Sequence, residues 1–231
     1  MGLLSFVGGA ISGAISAVSS VARSIGNFVT GPVADGLGYV LKAGMEVGSK
    51  AFPIIEAVAR ILGVFRSDED LDVVGDRALQ AADQNIKPEN YASHQQYMES
   101  LRSFSLDPQR SEETSVESKK AAGLIVATKG ISDVQNIPMD SVAHLMVLAA
   151  RNSAYFDSAK MVDLLQGGAP FVKNVIDYFH DRLNPEKSER VEKDLVKMAM
   201  KDQPALDEKG ATAEIDTALE RVRKGDGDSE R

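Results

Sequence analysis

Leu4, Val7, Ile11, Ile15, Val18, Ala22, Ile25 and Val29 recur every three or four residues, the repeat of a helix with one apolar stripe. The opposite side is small rather than charged. Ser5, Gly9, Gly13 and Ala17 form one i, i+4 row, and Gly8, Ser12, Ser16 and Ser20 form the next. Gly31-Pro32 ends this helix. Val33 to Lys50 predicts a second, with Val33, Leu37, Val40, Leu41 and Val47 apolar, Gly44 and Gly48 at GxxxG spacing, and Gly36 two turns earlier. Pro53 suits the first turn of a third, whose stripe is Ile54, Ile55, Val58, Ile61, Leu62 and Phe65. Thr30 to Pro32 closes the first two helices into an antiparallel hairpin.

The remaining pattern is helical throughout. Ser67 reads as an N-cap followed by an acidic first turn of Asp68, Glu69 and Asp70, opening a helix that reaches Asn85 and buries Leu71, Val74, Ala78 and Ala82. After Lys87-Pro88 a helix passes through Tyr91, Met98 and Leu101. The acidic, serine-rich stretch 107–120 reads as a linker or as the solvated start of the next helix. An apolar run from Ala121 to Ala127 ends at Gly130, a C-terminal cap. Pro138 and Asp140 open a helix with Val142, Leu145, Met146 and Ala149, and another ends at Gly167-Gly168. Pro170 starts a strongly amphipathic helix running to Asn184-Pro185. Pro185 to Lys201 and Ala211 to Lys224 predict charged helices with narrow stripes (Val191, Leu195, Met198; Ile215, Leu219, Val222), the form of surface helices or of helices that dock on a partner. The tail 225–231 is expected to fray. No stretch alternates like a strand, so the expected fold is all-α: a Gly/Ala/Ser-rich amphipathic hairpin in a head, 1–65, followed by an acidic multi-helix body, 66–231.

Composition sharpens this division. Met1 to Ala22 carries no charged side chain, and eleven of the chain's nineteen glycines fall before Arg66. The head holds Arg23, Lys42, Lys50 and Arg60 against Asp35, Glu46 and Glu56, a net of +1, whereas the 231-residue chain is −8, leaving −9 on the body. Such an acidic body repels phosphate backbones and argues against direct nucleic-acid binding. With no cysteine, there is neither a disulfide framework nor a thiolate metal site, consistent with synthesis in a reducing cytoplasm. No basic residue precedes Arg23, as a secretory leader would need, and Phe6 occupies the position where myristoylation requires Ser or Thr.

Little of the sequence looks catalytic. His94, His144 and His180 stand apart, without HExxH or His/Cys ligand spacing. His144, among Val142, Leu145 and Met146, reads as a satisfied core histidine, and His180 sits where a helix ends. Gly36-Leu37-Gly38 lacks the third glycine of a dinucleotide loop, and Gly48-Ser49-Lys50 has the wrong order for a P-loop. The reading is therefore a non-enzyme with no cofactor and no metal.

Small-xxx-small rows let helix backbones approach closely, the mode by which helices associate in lipid. They equally suit a helix buried tightly in an assembly. Met1 to Val29 is long enough to cross a ~30 Å hydrocarbon core, although its serines and glycines make it a poor single anchor, so insertion would require self-association. Phe6, Phe28, Tyr39, Phe52 and Phe65 suit either interfacial anchoring or core packing.

Two family resemblances arise at this point. The Gly9/Gly13 and Gly44/Gly48 repeats resemble glycine-zipper pore-forming toxins delivered between bacteria by contractile secretion machines. The whole-chain plan resembles the nucleocapsid shell proteins of enveloped double-stranded-RNA bacteriophages: small, acidic, helical and cysteine-free, with an Ala/Gly-rich head that meets membrane during entry. The second resemblance implies a structural virion protein, virion- or membrane-associated, whose partners are membrane lipid and further copies of itself. Leu4, Val7, Ile11, Ile15 and Val18 are then expected to enter the acyl boundary, while Gly8, Gly9, Gly13, Ser16, Gly44 and Gly48 permit close helix contacts. The alternatives are a secreted pore-forming effector and a purely structural subunit with a buried head.

Overall fold

A computed structural model describes the backbone of residues 4–26 and 28–227, with side chains over 11–26 and 28–224. The described residues are all-helical. The first three helices are α1 (Leu4–Ile25), α2 (Gly31–Met45) and α3 (Ala51–Ile61); α4 (Leu71–Ala82), α5 (His94–Ser103) and α6 (Pro108–Glu113) follow, with a 3₁₀ turn at Pro88–Asn90 between α4 and α5. The chain continues through α7 (Val116–Gln135), α8 (Met139–Arg151) and α9 (Ser158–Gln166) to α10 (Ala169–Phe179), α11 (Pro185–Asp202) and α12 (Glu208–Gly227).

The helix starts follow local chemistry. Asp70, Ser93, Asp107, Ser115, Asp157 and Asn184 each accept a hydrogen bond from a backbone N–H two or three residues on, satisfying donors a helix leaves free. Pro32, Pro108, Pro170 and Pro185 occupy the first helical positions, where a missing N–H is harmless.

The core is built around α7. Ala121 to Thr128, Gly130 and Ile131 are all buried, so this helix has no solvent face over its middle. It is covered by α1, α2, α3, α4, α5 and α8. The tightest cover is α4. A Cβ added at Gly75 would fall 1.9 Å from the Lys119 carbonyl oxygen, and one at Gly123 would fall 2.1 Å from that of Leu71, so the two backbones touch. Outside this layer, α2 packs on α8, α3 on α9, and α10 on α8 and α9.

One cluster of buried apolar residues runs from Ala14 through Phe65 and Leu71 to Val222. Residues on both sides of Arg66 thus share a single core, because α1 lies on α4 and α7 while α2 lies on α7 and α8.

Several expectations change in detail. The cap before α4 is Asp70, not Ser67; Glu69 turns inward instead and is 3% exposed. That helix stops at Ala82, with Asn85 left-handed at φ 62°. Tyr91 precedes α5 rather than lying within it. The stretch 107–120 is not a linker: α6 and the first turn of α7 occupy it. Gly130 caps nothing, because α7 continues to Gln135 and ends at left-handed Asn136; Gly130 is where Val64 and His94 press on α7. α2 ends at Met45 and α10 at Phe179, both short of the expected ends. The stripes of α11 and α12 close against each other and against α10 and α8. In the tail, α12 runs through Gly227, and 228–231 lie outside the described residues.

Candidate functional site

The first two helices form the antiparallel pair expected of them. Ala22 and Gly26 line one shallow cleft with Gly31 and Ala34, and further along Ile15 lies against Gly38. A Cβ on Gly38 would sit 2.5 Å from Ile15 Cγ1 and 2.8 Å from Ile15 Cα. This is a close helix crossing, made by a glycine the row pattern did not single out.

Ile11, Gly13, Ile15, Ser16, Val18, Gly44 and Gly48, the candidate residues with described side chains, do not form one surface. Leu4, Val7, Gly8 and Gly9 belong to the α1 backbone, and their side-chain surroundings lie outside the described residues. Ile11 and Ile15 are half-buried, and Val18 is fully buried with Ala14, Val21, Ala22 and Ile25. In this conformation Val18 has no access to lipid, because α1 spends that stripe on its own core. Gly13 and Ser16 face outward, and nothing lies within 4 Å of a Cβ added at Gly13. Gly44 meets the Phe52 ring of α3, 2.2 Å from an added Cβ. Gly48 lies beyond the end of α2 in a turn, at φ +80°, so the Gly44/Gly48 pair is not a helix-packing row.

Polar clusters that the spacing did not reveal hold the elements in place. Glu69 accepts two hydrogen bonds of 2.8 Å from Arg102 of α5 and one of 2.7 Å from the Arg66 N–H. Burial opposes its charge, but the Arg102 hydrogen bond and the Arg66 N–H together hold the carboxyl below its usual range. Arg60 donates to the Glu69 carbonyl. Buried Asp76 pairs with Lys119 at 3.2 Å and accepts from Gln80, whose amide also ties down α6 at its cap Asp107 and at Ser111. Lys120 bridges Asp72 and Glu56 and lies 5.2 Å over the Phe52 ring. These networks fasten α3, α4, α5 and α7 rather than point into a cleft.

Two cavities among the described residues border buried polar atoms without partners. Beside a cavity of about 450 Å³ edged by Tyr91, Lys129 and Asp133, both ring nitrogens of His94 and the Tyr97 hydroxyl are unpaired. Burial there drives the His94 pKa down to about 4 and pushes that of Tyr97 up. A second cavity, about 210 Å³, lies between the start of α9 and α12. Its Asn152 amide nitrogen and Tyr155 hydroxyl lack partners, and buried Lys160 sits 4.1 Å over the Tyr155 ring. Lys160 and Arg221 there are balanced by Asp157 and Glu214, so the pocket presents no net charge of either sign. His144 is half-buried rather than in the core, its Nδ1 2.7 Å from the Asp140 carbonyl.

Among the described residues there is no group of three or more metal-ligating side chains, and no helix is long and apolar enough to cross a membrane. No family model, no curated protein and no solved structure matches the chain.

Proposed function

We propose that this chain is a non-enzymatic structural protein of a larger particle, whose N-terminal helix meets a membrane. The observation carrying this reading is the uncharged run from Met1 to Ala22. An ordinary surface helix of a soluble acidic chain carries charges on its outer face. Here the outer face of α1 from residue 12 to 20 is Ser12, Gly13, Ser16 and Ser20, narrow enough for a second helix backbone to approach, and exposed Arg23 brings the first charge only in the last turn. In this reading the segment before Ala14 meets the lipid, the small face pairs copies, and the acidic body carries the assembly.

Dye release from liposomes tests the proposal. The intact chain is expected to cause leakage that Gly9→Leu and Gly13→Leu reduce; unchanged leakage in both variants removes the small face from the mechanism. A second reading, a structural subunit whose head only packs between protomers, is favoured by the complete burial of Val18 and Ile25. It predicts that deleting residues 1–13 abolishes assembly in particle sizing while the intact protein leaves liposomes sealed.

A further inference from the structure

The connection between α2 and α3 is a tight, ordered turn carrying an apolar tip. Glu46 O accepts from Ser49 N at 3.1 Å, and Gly48 lies at φ +80°, the arrangement of a type II turn with glycine at its third position. Ser49 Oγ accepts from Ala51 N at 3.2 Å and fixes the exit into α3. This geometry places Val47 at the outermost position. Val47 is 106% exposed and the neighbouring Met45 47%, although valine and methionine rank among the residues most often buried.

The turn also lies at a particular end of the molecule. Ile15 crosses Gly38 in the antiparallel pair. From that crossing Met45 lies about 10 Å along α2 and Leu4 about 16 Å back along α1, at ~1.5 Å per residue. The Val47 turn and the first turns of α1 therefore share one end. The turn itself carries Lys42 and Lys50 around Glu46, and behind it Phe52 lies under Lys120, whose charge is met by Asp72 and Glu56. Two lysines against one glutamate favour an anionic lipid surface at this turn.

We infer that the Met45–Lys50 turn is a membrane-touching tip: Val47 and Met45 enter the lipid interface, and Lys42 and Lys50 lie at the level of the headgroups. This rests on the membrane reading above and names where on the fold the contact is made. Two side chains at a turn fall far short of the ~800 Å² per partner of a stable protein interface. A lipid surface, by contrast, accepts single apolar side chains without a complementary shape.

The chain has no tryptophan, so Val47→Trp creates a lone reporter at the tip, and Val134→Trp on α7, at a position 51% exposed, is its control. The probe is vesicles of phosphatidylcholine with phosphatidylglycerol, with and without bromine on the acyl chains. The expected result is a blue shift and bromine quenching at position 47 and neither at position 134. In flotation, Val47→Asp is expected to weaken vesicle binding about ten-fold, the equivalent of one valine left out of the apolar phase, while Val134→Asp binds like the parent. If the parent chain floats with vesicles but position 47 is not quenched and Val47→Asp binds normally, the tip is overturned and the membrane reading stands. If the parent chain does not float at all, both fall. Because Val47 touches little of the fold, circular dichroism of the variants is expected to match the parent, so lost binding reports on the contact and not on unfolding.

Discussion

Replacing Gly123 by alanine puts a methyl carbon 2.1 Å from the Leu71 carbonyl oxygen and 2.7 Å from Leu71 Cα. Ordinary contact begins at 3.4 Å, so α4 and α7 must part by about 1.3 Å along that line. Both obstructing atoms are backbone, and no rotamer change relieves them. Overpacking a well-filled core destabilises by ~1–3 kcal/mol even where side chains can move, and this crossing belongs at the upper end of that range. The better helix propensity of alanine offsets ~1 kcal/mol. A net loss of ~2 kcal/mol corresponds to a fall in Tm of ~4–8 °C for a chain of this size, read by thermal and urea unfolding followed by circular dichroism. The companion is Gly13→Ala, where nothing lies within 4 Å of the new Cβ; there the propensity term acts alone and stability rises by up to ~1 kcal/mol. A Gly123→Ala protein as stable as the parent, or both variants shifting the same way, refutes the argument that backbone contact at α4–α7 sets the packing.

The remaining predictions concern buried charge and one left-handed glycine. His94 titrates at about 4 in the folded chain against 6.5 when free, mainly through burial, with Asp133 opposing and Lys129 and Arg102 assisting. Between those values the unfolded chain binds more protons, so this group's contribution to stability falls by ~3 kcal/mol as pH drops through the window and does not change outside it. Urea midpoints across that range for the parent and His94→Phe should show this component only in the parent; equal slopes in the two proteins sink the claim. Arg102→Met leaves Glu69, 3% exposed, without its cation, and is expected to destabilise by ~3–5 kcal/mol. The double variant with Glu69→Met should recover part of that loss in a double-mutant cycle. Additive losses would mean that the pair is not coupled. Gly48→Ala, at φ +80°, is expected to cost ~1 kcal/mol in the same unfolding assay; an unchanged midpoint would show that the turn tolerates a side chain.

Helix existence was legible because its causes are local. Apolar residues at helical spacing, Pro at first positions, and Asp, Ser or Asn at caps act within a few residues of where they stand. Errors fell where a distant group intervened. Glu69 stands in an acidic run that looks like a first turn, but Arg102, thirty-three positions away, draws it inside. Gly130 has the local look of a cap, but Val64 and His94 need its missing side chain. The site residues were the hardest to place. Gly13 and Gly44 look alike in the pattern, yet one faces open space and the other an aromatic ring.

The sequence alone determined that the chain is all-helical, that its first twenty-two residues are uncharged, and that charge is divided sharply between 1–65 and 66–231. Only the tertiary structure decided that both parts share one core, that the middle of α7 is enclosed, and that the closest backbone approaches at described glycines are those of Gly75 to Lys119 and Gly123 to Leu71, between α4 and α7. The physical reason is one of range. Periodicity reports which face of a helix is apolar, but the partner for that face is chosen by shape and by pairing of groups remote in the chain.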